Sequence, residues 1–179
     1  CSETIKDAQK YIPEFLENII KKNISCINDI KTPDEKIPFF NGGSEDDLSK
    51  FNKYIKLETK SIKNKIIGGL YHFKSKGQVV FFDVGSPPSK NFSKNYQSGP
   101  LSFEYYIDGV KIITNCGFGK RISAKAELIS RFTASQSTLT INDTAITRFE
   151  RNKLVNRVFG NSIKNTFKTR ELKLKNEKK

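Results

Sequence analysis

The chain has 179 residues, 36% of them hydrophobic, and a formal net charge of +13; fourteen Phe and six Tyr supply core material for one domain and argue against wholesale disorder. No apolar run reaches the roughly 18 residues that a membrane span requires. Three cysteines and one histidine, in no CxxC or Cys/His spacing, argue against a disulfide framework or a structural zinc module.

The basic balance points to an anionic partner, or simply to a Lys-, Asn- and Ile-rich composition. The excess is greatest from Arg148 to Lys179, with eleven Lys/Arg against three Glu. No aromatic-rich basic signature accompanies it, so a nucleic-acid partner is not expected. The sequence contains no Met and starts at Cys1. A piece of a longer chain is expected, with a lipoprotein lipidated on Cys1 as the alternative. Localisation stays open between the periplasm and the cytoplasm of a bacterium.

Residues 4–22 carry an apolar stripe at three- and four-residue spacing (Ile5, Ala8, Ile12, Phe15, Leu16, Ile19, Ile20), which predicts a helix. Pro13 lies inside it, so a kink or a helix start is expected there. The stripe must be buried, and the chain offers a sheet to bury it on. Next comes Ile37-Pro38-Phe39-Phe40-Asn41-Gly42-Gly43, an apolar run closed by a turn where backbone can approach a ligand. Ser44 then caps a predicted short helix with Leu48, Phe51 and Ile55 on its apolar face.

From Gly68 the period becomes two. Residues 70–74 and 78–83 predict a hairpin around the three-residue loop Ser75-Lys76-Gly77. A long polar loop, 89–100, follows; such length between strands suggests a function. Residues 101–107 and 110–116 flank Asp108-Gly109, a strong type I′ hairpin signal. Residues 123–129 predict a short helix. Residues 137–142 and 146–150 predict strands around Asn142-Asp143-Thr144, and 154–159 and 165–174 further strands. Cys116 reads as a small buried hydrophobe, and His72 as a structural or surface histidine. Glu104, alternating with Phe103 and Tyr105, reads as a solvated or paired strand residue.

Four blocks in order carry a resemblance: Pro38-Phe39-Phe40-Asn41-Gly42-Gly43, Asp83-Val84-Gly85-Ser86-Pro87-Pro88, Gln97 through Gly117, and Arg131-Phe132-Thr133-Ala134-Ser135-Gln136-Ser137-Thr138-Leu139. Together they resemble the C-terminal β-domain of the heparinase II/III-like family of polysaccharide lyases. The resemblance implies a mainly β fold: an antiparallel β-sandwich portion preceded by one or two α-helices left over from an (α/α) toroid. Residues 1–31 would end the toroid and residues 32–179 begin the β-domain.

It also implies β-elimination on uronic-acid-containing glycans. That chemistry needs the substrate carboxylate neutralised, a base for the C5 proton, and an acid for the leaving glycosidic oxygen. In the family the β-domain adds a His from the loop before the "LSFE" block, and some members hold a structural metal there. This chain carries Gln97 and Gln136 at the two His positions, Asn95 at a further one, and Asn115 at a carboxylate-or-amide position. An amide is no general base near neutral pH and a poor zinc ligand, so neither metal nor cofactor is expected. Gln97, Asn115 and Gln136 are expected to converge as an amide cluster. Candidate catalytic residues are Asn95, Tyr96 and Gln97; candidate substrate-binding residues are Asn41, Asn115, Arg131 and Gln136. The expected partners are an acidic polysaccharide and the missing toroid, and the fragment alone is expected to be inactive. The alternative is a non-catalytic β-domain that binds acidic glycan through a degenerate site.

Overall fold

The computed structural model describes residues 13–43, 48, 65–152, 154, 156, 162–164 and 167–168. The described fold is mainly β: five antiparallel strands in one sheet, β1 (Ile66–Ile67), β2 (Leu70–Ser75), β3 (Gln78–Asp83), β4 (Phe103–Ile107) and β5 (Val110–Ile113), ordered as in the chain. Two α-helices accompany them, α1 (Glu14–Ile30) and α2 (Ala124–Ile129).

Pro13 starts α1: it precedes the first helical residue, where a missing N–H costs nothing. A helix start near Pro13 is one of the two outcomes expected there; residues 4–12 of the predicted span lie outside the described ones, and the helix runs on past Lys22 to Ile30. Ile24 is buried, but Phe15 and Ile19 are exposed. Leu16 and Ile20 of the stripe are half-buried, and cover is fullest towards the C-terminal end of α1. There the Lys74 ammonium of β2 donates to the Lys31 carbonyl at 3.4 Å. The short helix predicted after Ser44 falls outside the described residues, except Leu48, which is buried.

The β2–β3 turn is tighter than predicted. Ser75 pairs with Gln78, so the turn is Lys76-Gly77 alone. The β4–β5 turn is the expected one: Asp108 and Gly109 have φ of 48° and 82°, the left-handed pair that a type I′ turn requires.

Period-two alternation sorts β3 and β4 into two faces, and the register pairs Phe81 with Glu104 and Val79 with Tyr106. On that face Phe81 and Tyr106 are sealed, their rings edge-to-face at 6.1 Å. The Phe39 ring reaches the same region, with the Lys111 ammonium 4.3 Å from its centroid. The other face carries Tyr71, Phe82 and Phe103, with Phe82 and Phe103 stacked at 5.4 Å.

Glu104 corrects the sequence reading. It is fully buried, and its carboxylate accepts hydrogen bonds from the Tyr106 hydroxyl at 2.9 Å and the Thr114 hydroxyl at 2.8 Å. Cys116 is a second correction, being exposed.

The strands predicted at 137–142 and 146–150 are absent; isolated bridges, Ile141 to Thr144 and Phe149 to Ile163, stand in their place. Side chains take over the role of a ladder. The Ser137 hydroxyl donates to the Phe103 carbonyl, and Thr138 donates to the Pro100 carbonyl at 2.5 Å. At the predicted strand 154–159, Leu154 and Asn156 are helical, because the Asn152 side chain caps a helical turn by accepting the Leu154 N–H at 2.9 Å. Of the strand predicted at 165–174, only residues 167–168 are described, and neither is extended into a strand.

Ser123 caps α2 by accepting the Ala126 N–H. Gly119 packs against this helix so closely that an added Cβ would lie 2.4 Å from the Ala126 carbonyl oxygen. Backbone cannot swing aside as a flexible side chain can. Gly119→Ala is therefore expected to cost about 1–3 kcal/mol, read from urea unfolding with an unchanged m-value.

Candidate functional site

The β3–β4 connection holds Asn95, Tyr96 and Gln97, and Arg131 shapes it. This guanidinium is 1% exposed. Its Nε donates to the Tyr96 carbonyl and an Nη to the Ser93 carbonyl, each at 2.9 Å, and it lies 4.4 Å from the Phe149 ring centroid. Burial brings its pKa down to about 10, still protonated at neutral pH, with Glu127 acting in the opposite direction. The loop is folded around a buried cation whose hydrogen bonds go to carbonyl oxygens.

Gln97 is equally committed. At 2% exposure, its Oε1 accepts the Gly42 N–H at 2.9 Å, and its Nε2 donates to the Gly117 carbonyl at 2.8 Å and the Ser130 carbonyl at 2.9 Å. One amide staples the 41–43 turn, the chain after β5 and the end of α2. Gly42 has φ +92° and faces the Cβ of Asn95, which places exposed Asn95 against this turn.

Gln136 meets Gln97 at a shared acceptor, donating to the same Ser130 carbonyl at 2.6 Å. Asn115 joins through Ser137, whose N–H donates to its Oδ1 at 3.0 Å. The three amides are thus linked through Ser130 and the Gln136-Ser137 step of the chain.

A second cluster borders the loop. The Asn41 side chain donates to Asp83 at 2.9 Å, and the other Asp83 oxygen accepts the Gly85 N–H at 3.1 Å. Burial raises the Asp83 pKa against these two hydrogen bonds. Tyr96 is 5% exposed. Burial, and then the Asp83 charge, push its phenol well above the ordinary tyrosine value. Tyr96 therefore keeps its proton across the physiological range.

The sequence missed Asp83 as a partner of this loop. Its signal was the Asp83-Val84-Gly85 block, read only as a strand end. His72 stands on β2 opposite Phe81, its pKa lowered chiefly by burial.

A family model described as heparinase II/III-like, C-terminal, matches residues 65–177, more than half of the chain. The chain belongs to the heparinase II/III-like family. No curated protein matches it. A solved heparinase III structure is similar in fold, with TM-score 0.57 and 16% identity over 78% of this chain. The chain spans 26% of that structure's length.

The metal that the resemblance attaches to some heparinase II/III-like proteins does not fit these residues. Gln97 and Asn115 present oxygens already taken by backbone N–H donors, and Gln136 turns its nitrogen toward Ser130. The buried Nδ2 of Asn115 has no partner, and a donor cannot ligate a cation. Among the described residues, no group of three or more His, Cys, Asp or Glu could hold a metal ion, and no helix is long and apolar enough to cross a membrane.

Proposed function

We propose that this chain is the sheet domain of a polysaccharide lyase acting by β-elimination on uronic-acid-containing glycans, with residues 1–31 ending a preceding helical toroid and 32–179 beginning the β-domain. Family membership supports the lyase relationship. The observation that carries the reading within this chain is the placement of the Tyr96 phenol in the β3–β4 loop, next to exposed Asn95 and within reach of the Asp83 charge. Of the loop residues Asn95, Tyr96 and Gln97, only the phenol has a proton to transfer. It would protonate the glycosidic oxygen as the C4–O bond breaks, while a base from the helical domain takes the C5 proton and a double bond forms between C4 and C5. Amides of Asn95 and Asn41 would donate to the substrate carboxylate and favour loss of that proton.

The test is the longer protein, helical domain included, incubated with a panel of uronic-acid glycans while ultraviolet absorbance of the unsaturated product is followed. Tyr96→Phe is expected to lower kcat by about 100-fold with little change in KM. Full activity in that variant would remove Tyr96 from the reaction, and no product from any glycan would remove the reaction itself.

A second reading, a non-catalytic domain that binds acidic glycan, draws on Gln97: its amide is consumed by backbone and stands where the family carries an imidazole. Salt-sensitive glycan binding without bond cleavage would favour it.

A further inference from the structure

A groove of about 810 Å³ lies between the end of α2 and the segment 144–151, on residues that neither the amide staple nor the Tyr96 cluster uses as chemical groups. Its volume falls in the range of ligand-holding clefts. Arg148, Arg151 and Lys164 line it, each exposed. The Lys164 N–H donates to the Arg148 carbonyl at 2.7 Å, which holds these two cationic residues side by side. Phe132 and Phe149 form an aromatic wall, their rings 6.2 Å apart.

Acceptors are present as well. The Glu150 carboxylate accepts the Arg151 and Asn152 N–H groups at 3.0 and 3.1 Å, with the Lys90 ammonium 3.9 Å away. Asn156 also lines the groove, and its Oδ1 is buried without a hydrogen-bond partner; so is the Thr147 hydroxyl.

We infer that this groove is an anionic-saccharide site separate from the Tyr96 cluster. Three cations at one rim call for carboxylate or sulfate groups. The Glu150 carboxylate calls for hydroxyl donors. The aromatic wall suits the apolar face of a sugar ring. A glycan bearing both acidic groups and hydroxyls answers all three, whereas a DNA backbone offers phosphates without hydroxyls. The inference does not depend on the lyase chemistry, since it concerns binding by other residues.

The experiment is calorimetric titration of the 179-residue chain with a chondroitin sulfate hexasaccharide, with maltohexaose as the neutral control and an oligothymidylate as the polyphosphate control. The acidic hexasaccharide is expected to bind, with affinity falling as salt is raised, and maltohexaose to give no heat. The double variant R151E/K164E is expected to weaken binding by roughly tenfold or more, and R151Q/K164Q to weaken it less, both with thermal melting unchanged. Tyr96→Phe is expected to bind as the parent does. Binding unchanged by charge reversal, oligothymidylate binding as tight as the acidic hexasaccharide, or no binding of that hexasaccharide would each overturn the inference. None of these results bears on whether the longer protein cleaves glycans.

Discussion

Arg131→Ala is expected to lower stability by about 3–5 kcal/mol and the melting temperature by about 10 °C. The guanidinium is 1% exposed, and its two hydrogen bonds to carbonyls are charge-assisted, the stronger kind. Truncation leaves the Ser93 and Tyr96 carbonyls buried without these donors and opens a cavity under Phe149. It also frees the loop that carries Asn95, Tyr96 and Gln97. Arg131→Lys keeps the charge but loses the fork that spans both carbonyls, so its cost is expected to fall between parent and Ala. Chemical denaturation of the three proteins gives the order directly; equal stability of parent and Ala variant would mean that the loop keeps its shape without the cation.

Gln97→Ala is expected to cost about 2–4 kcal/mol, because one truncation orphans the Gly42 N–H and removes a donor from both Gly117 and Ser130. Gln97→Glu is expected to be worse than Ala. It sets a carboxylate oxygen against two carbonyl oxygens at a position 2% exposed. Hydrogen exchange at the Gly42 amide is the local reporter: faster exchange in Gln97→Ala, beyond what global stability accounts for, places the loss at the staple. An unchanged rate there would mean that Gln97 does not hold the 41–43 turn. An imidazole at this position has two ring nitrogens, too few to accept from Gly42 while donating to two carbonyls. In this chain the amide at position 97 serves cohesion.

The sheet was legible wherever the signal was local. Asp108-Gly109 declares its turn through backbone sterics alone, and the apolar run in 78–83 and the alternation in 103–107 mark two strands. What stayed hidden depends on partners distant in sequence. Glu104 lies between Phe103 and Tyr105, so alternation assigned the aromatics to the core. The Glu104–Tyr106 face is the sealed one, made tolerable by hydroxyls from Tyr106 and Thr114. Arg131 has no carboxylate to reveal it as buried; its partners are backbone carbonyls 35 and 38 residues upstream. The strands predicted at 137–142 and 146–150 failed for a related reason. At 137–138 the hydroxyls bond the backbone of other segments, and at 146–147 the backbone N–H groups go to the hydroxyls of Thr133 and Ser98, so side chains take the place of the ladder that the residue types suggested. At the candidate site the amide substitutions were visible, and the meeting of Gln97 and Gln136 at one carbonyl agrees with their expected convergence. The full occupation of Gln97 by backbone was not visible, because geometry decides it.

Strand order that equals chain order has a kinetic consequence. Each ladder joins segments adjacent along the chain, so most of the sheet has low contact order and its hairpins close at small entropic cost. The contacts made by Gln97 and Arg131 are of the opposite kind, linking residues 20 to 55 positions apart. The β2–β3 and β4–β5 hairpins are therefore expected to form early, with the two polar clamps closing on a sheet already assembled. Loss of either clamp falls on the lifetime of the native state more than on the speed of reaching it.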